Sequence, residues 1–141
     1  MLGFIWSAIA GAAMSVQGVM NTRLGEGIGT MEANSLVQCS AALLSLAALA
    51  FYRTGSFSAL GSVPWYYMLG GALGLVITVT VMLGIGSLSP TVAISVILIS
   101  QLLVAALIDA LGLLGAERVP FGWRKLLGLA LMIAGVVTFK T

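Results

Sequence analysis

The chain has 141 residues, 60% of them hydrophobic and 7% charged, with a net charge of +2. Soluble chains carry about 25% charged residues, so no soluble core of this length hides that much apolar surface, and the small charge offers little to a nucleic acid. Histidine is absent and Cys39 is the sole cysteine, which excludes an intramolecular disulfide and a zinc site built from Cys and His.

The composition therefore describes an all-α polytopic membrane protein, residues 1–141 forming one transmembrane domain. No cofactor or metal site is expected, since Glu26, Glu32, Asp109 and Glu117 are few and dispersed. Ala8-Ile9-Ala10 matches a signal-peptidase site superficially. No Lys or Arg precedes the apolar run, and the run continues past Ala10, so a first membrane helix is the better reading.

Span one covers about residues 2–21. Gly3, Ser7, Gly11 and Ser15 recur every four residues, a small-residue stripe that allows close helix packing in lipid. Gln17 and Asn21 share a face near its end, followed by Arg23. They form either a polar patch at a cavity mouth or an interfacial cap with a snorkelling arginine. Residues 24–30, with Gly25, Gly27 and Gly29, read as a turn or re-entrant connection. They lack the Gly-Lys-Ser/Thr ending of a phosphate loop.

Span two covers about 32–52. Glu32 suits a first helical turn. Asn34 and Gln38, four apart, add a second polar face near the level of Asn21. Cys39 reads as a small packing residue. A short loop then leads to Pro64-Trp65-Tyr66-Tyr67. Pro64 suits a helix start, and the aromatics suit a membrane surface. An aromatic cage for a cation is the sharper alternative.

Span three covers about 65–85. Gly70 and Gly74 form a small-xxx-small pair, while Thr78 and Thr80 can bond their own helix. The connection from Gly86 to Pro90 is very short, so spans three and four are expected to form a tight antiparallel pair.

Span four covers about 91–111 and carries two polar groups. Gln101 is near mid-depth, where an amide cannot face hydrocarbon unpaired. Asp109 falls on roughly the same side, about 12 Å further along the axis. It lies near an interface supplied with Arg53, Arg118, Arg124 and Lys125. A structural ion pair is one reading of Asp109, and a proton- or cation-responsive carboxylate is the other.

Span five covers about 122–139, with Gly128 and Gly135 among its small contact residues. It holds no deep charge, so a packing or oligomer-interface role is expected. Five spans place the termini on opposite sides. Arg53, Arg118, Arg124 and Lys125 share the N-terminal side, and Arg23 and Lys140 lie on the other. Basic residues favour the cytoplasm, which puts the N-terminus inside. The bias is modest, and insertion in both orientations stays open.

The ordered features resemble the YdcZ-like inner-membrane exporter family of the drug/metabolite transporter superfamily. They are Gln17, Asn21, Arg23 and Leu24; Trp65, Gly70, Gly71 and Gly74; Gln101, Asp109, Gly112, Leu113, Leu114 and Gly115; and Arg124, Leu127, Gly128, Leu131 and Gly135. The resemblance covers nearly the whole chain. It implies the five-helix half of a ten-helix transporter fold, completed by fusion or by a homodimer, with an antiparallel dimer open. It also implies a bacterial inner-membrane location. Some of the smallest superfamily members exchange protons for cationic drugs through a glutamate deep in the first span. The first span here has no acidic residue, so that mechanism does not carry over.

The leading expectation is a secondary carrier for an unidentified small solute, working as a dimer by alternating access. Gln17, Asn21, Gln38 and Gln101 are the cavity candidates, and Arg23 and Asp109 the gating or coupling candidates. Gly11, Ser15, Gly70, Gly74, Gly128 and Gly135 are packing candidates. A passive channel is the alternative, though no filter-like repeat is visible. A non-transporting accessory protein is a third reading. An enzyme is least favoured, because no nucleophile–base arrangement can be identified.

Overall fold

The structure is a computed structural model that describes residues 1–140. Five α-helices run in order: α1 (Leu2–Ile28), α2 (Thr30–Phe51), α3 (Gly70–Ser87), α4 (Pro90–Leu111) and α5 (Trp123–Lys140). Short 3-10 segments lie at Phe57–Ser62, Trp65–Leu69 and Leu113–Gly115. No strand occurs among the described residues. Among the described residues four segments are long and apolar enough to cross a bilayer: Leu2–Ile28, Thr30–Phe51, Trp65–Ser87 and Pro90–Leu111. The fifth helix is 18 residues long and carries Arg124, Lys125 and Lys140 at its ends.

Lipid supplies no hydrogen bonds, so spanning backbone must close its own. The helices do this, and their hydroxyls follow the same rule. Ser15 donates to the Gly11 carbonyl at 3.0 Å, Thr78 to Gly74 at 2.9 Å, Thr80 to Val76 at 2.7 Å and Ser95 to Thr91 at 2.7 Å. The polarity of Thr78 and Thr80 is thereby absorbed locally.

Burial is reversed relative to a soluble protein. Large apolar side chains such as Leu43, Leu44, Leu131 and Val137 are exposed, while the buried group includes Asn21, Thr22, Ala33, Asn34 and Ala93 with two larger side chains, Met82 and Ile85. In water such a surface would aggregate. Against acyl chains it is the solvent-compatible face, and small residues turn inward because they let helices approach.

The chain packs as two compact units, Met1–Gly86 and the part from Ser87 onward. In the first, α1 continues through the glycine-rich stretch expected to be a turn. Only Gly29 lies outside the helices, at φ 103° and ψ 145°. Gly25 and Gly27 do not stop the helix, because glycine's entropic cost in a helix is modest. Gly29 stops it by taking a conformation that a side chain disfavours. Even so its backbone is fully used: its N–H donates to Gly25 at 2.9 Å, and its carbonyl accepts from Ala33 at 3.0 Å. Helix α1 is 27 residues long, about 40 Å, which exceeds the ~30 Å hydrocarbon core. Its last turns suit the interface, and there Arg23 pairs with Glu26 at 2.8 Å, both exposed.

In the second unit, Ser89 caps α4 by accepting from the Val92 N–H at 3.4 Å, with Pro90 in the first turn, as capping chemistry favours. The other end closes on Gly112 at φ 65°, whose N–H reaches the Ile108 carbonyl, a left-handed cap suited to glycine. The following segment folds back over the freed carbonyls. Val119 N–H donates to Asp109 at 2.8 Å and Arg118 Nε to Ala110 at 3.1 Å. Helices α4 and α5 pack together.

Candidate functional site

The polar interior of the first unit is built at the junction of α1, α2 and the C-terminal half of α3. Gly18, Asn21 and Thr22 are buried on α1, Ala33 and Asn34 on α2, and Met82 and Ile85 on α3. The glycines of α1 create the room. A Cβ on Gly18 would lie 2.9 Å from Ile85 Cδ1 and 3.1 Å from Val81 Cγ1, and one on Gly25 would lie 3.5 Å from Thr30 Cα. The Gly25–Thr30 approach shows α2 turning back on α1. Counting outward from it in antiparallel register brings Thr22 level with Ala33 and Asn21 level with Asn34.

Thr22 spends its hydroxyl on the Gly18 carbonyl at 2.8 Å. Asn34 is different. It is 3% exposed, and its Oδ1 is buried with no hydrogen-bond partner. A buried acceptor left unpaired costs about 1–3 kcal/mol. With no partner inside the chain, Asn34 Oδ1 is chemically competent to accept a hydrogen bond from a solute or water donor. Asn21, 8% exposed, adds a second amide at the same level.

The structure distributes the sequence candidates unevenly. Asn21 is buried in this junction, and Gln38 is half-buried beside it on α2. The Gln38 Nε2 lies 3.6 Å from where a Gly74 Cβ would be, so Gly74 gives that amide its place against α3. Gln17 is exposed on α1 and Gln101 exposed on α4. Arg23 is engaged with Glu26. Asp109 lies 3.6 Å from Lys125 Nζ, both side chains half-exposed.

Ser15 bonds its own helix, and Gly11, Gly70, Gly128 and Gly135 have open space where a Cβ would project. Trp65 and Tyr66 meet edge-on at 6.4 Å and Tyr66 and Tyr67 lie 4.7 Å apart. All three are exposed, as interfacial aromatics are. No group of three or more Cys, Asp or Glu side chains gathers as a metal site among the described residues.

Two features escape a reading of the sequence as candidate positions: Asn34 as the buried amide, and Gly18 and Gly25 as the close-approach glycines. The signal for both is the antiparallel register about Gly29, which becomes readable once the turn is known to be one residue long.

A family model described as "Putative inner membrane exporter, YdcZ" matches residues 2–138. The chain belongs to the YdcZ family. That match spans nearly the whole chain and takes in all five helices, so the YdcZ assignment applies to both compact units. No curated protein and no solved structure matches it. This YdcZ-family chain is thus a multi-pass membrane protein of an inner-membrane exporter family within the drug/metabolite transporter superfamily.

Proposed function

We propose that the protein is a secondary transporter that exports a small solute across the inner membrane as a homodimer by alternating access. The observation that carries the reading is the buried junction in which the Asn34 Oδ1 lacks a partner. Polar groups inside a membrane bundle are costly to keep there and need a partner, which a passing solute can be. A solute with hydrogen-bond donors supplies what Asn34 lacks, and Asn21 and Gln38 flank it. Gln17 lies one helical turn before Asn21 on α1 and extends the polar face.

Gln101 supports the dimer. It lies at the midpoint of α4, eleven residues after Pro90 and ten before Leu111, and it is exposed. An amide at that depth needs a protein or water partner, and a second copy with its own polar face provides one. In this reading α5 is a fifth span, and ten helices enclose the path. Arg23 and Asp109 stand at helix ends, where they tune entry. The basic residues favour a cytoplasmic N-terminus.

The test is efflux from proteoliposomes loaded with a panel of small polar solutes, comparing wild type with Gln101→Ala. A saturable, solute-specific flux that falls at least tenfold in Gln101→Ala, with the fold retained, is the expected result. A non-saturating flux, or full activity in Gln101→Ala, overturns the proposed roles.

A further inference from the structure

The second unit contains a cavity of about 510 Å³ between α4 and α5. Its walls are apolar, with Leu103 and Ala106 on α4 facing Leu129 and Met132 on α5. Asp109 and Lys125 line the same space. These two charges lie near the ends of their helices, two residues before Leu111 and two after Trp123. The apolar wall runs about 10 Å further along each helix, from Asp109 to Leu102 and from Lys125 to Met132. The space thus has a charged end at headgroup level and an apolar end within the hydrocarbon. Gly128 lines it, and a Cβ there would project into open space with nothing within 4 Å.

The charged end is loosely satisfied. The Asp109–Lys125 separation of 3.6 Å is longer than the 2.7–2.9 Å typical of a charge-assisted hydrogen bond. Both side chains are half-exposed, so exchanging each other for outside partners costs little. A ligand that engages both charges brings a cation for Asp109, an anion for Lys125 and an apolar body behind them. A purely anionic amphiphile leaves Asp109 facing negative charge. A purely cationic one leaves Lys125 facing positive charge.

We propose that this cavity is a binding site for a phospholipid with a phosphoethanolamine headgroup. The primary ammonium pairs with Asp109, the phosphate with Lys125, and the first part of an acyl chain lies along Leu103, Ala106, Leu129 and Met132. A choline headgroup carries the same charges but has no N–H to donate to the carboxylate. The site is contained in α4, α5 and the segment joining them, so it stands or falls independently of the solute path around Asn34.

The test is native mass spectrometry of the delipidated full chain with added phosphatidylethanolamine, phosphatidylcholine or phosphatidylglycerol of identical acyl chains. Wild type is expected to retain the ethanolamine lipid about fivefold better than the other two, the upper range for a half-exposed ion pair. Asp109→Asn should erase the preference over choline. Lys125→Gln should weaken all three lipids, and Gly128→Leu should lower retention by filling the space. Equal retention of ethanolamine and choline lipids by wild type overturns the proposal, and that comparison requires no variant. A preference for the glycerol lipid, or a preference that survives Asp109→Asn, overturns it as well.

Discussion

Replacing Asn34 with leucine separates stability from transport. Leucine repeats the branching of asparagine with a somewhat larger volume and has no carbonyl to leave unpaired. An unsatisfied buried acceptor costs about 1–3 kcal/mol, and the Asn34 Oδ1 is such an acceptor on a residue 3% exposed. The reference state reduces the gain, because a helix dissociated within lipid also finds polar partners. Where the junction accommodates the extra volume, the net expectation is a stabilisation of about 1–2 kcal/mol, a factor of roughly 5–30 in the folded population. Reversible unfolding in mixed micelles, followed by far-ultraviolet circular dichroism and by the fluorescence of Trp6, Trp65 and Trp123, measures it. Solute efflux by the same variant should fall at least tenfold. A variant that transports normally refutes the amide's role in the path, and one destabilised by more than the ~1–3 kcal/mol of overpacking means the amide is bonded structurally.

Two further outcomes follow from the α1–α2 joint. Gly29→Ala should cost about 1–3 kcal/mol, because φ 103° with ψ 145° is open almost only to glycine; the Glu32 carboxylate also lies where the methyl would go, but that exposed side chain can move, so Glu32→Ala should not rescue the loss in micelle unfolding. Gly18→Val should cost about 1–3 kcal/mol by overpacking against Val81 and Ile85, with Ile85→Ala in the same chain recovering part of it.

Much of the helix pattern is legible in the residues alone. Apolar runs of membrane length mark the spans, Ser89-Pro90 marks a helix start and Gly112 a helix end. The placement of Asp109 beside basic residues also follows from its distance to the end of α4, and Lys125 is the one it meets. The inward faces are harder to read. Helix α3 is apolar all round, so no amphipathic stripe tells which side is covered. In lipid the covered side is chosen by small residues and by turn geometry instead. That is why Gly18, one of many helix glycines, and Gly25, which reads as a turn residue, make the close contacts, while Gly11 and Gly70 face open space. Spacing puts Asn34 and Gln38 on one polar face, and of the two only Gln38 is a cavity candidate by sequence. Only the one-residue turn makes Asn34 the buried member and leaves Gln38 half-covered.

The same turn bears on how the chain enters the bilayer. A joint of one residue leaves no polar loop to be drawn through the membrane separately. Helices α1 and α2 are thereby suited to insert together as a pair. The tip of that pair carries Arg23, Glu26 and Glu32, and the Arg23–Glu26 bridge cancels one charge of each sign before the tip meets hydrocarbon. Insertion of the first two spans is then governed by a tip bearing a single net negative charge, with no cluster of lysine or arginine to hold it on one side.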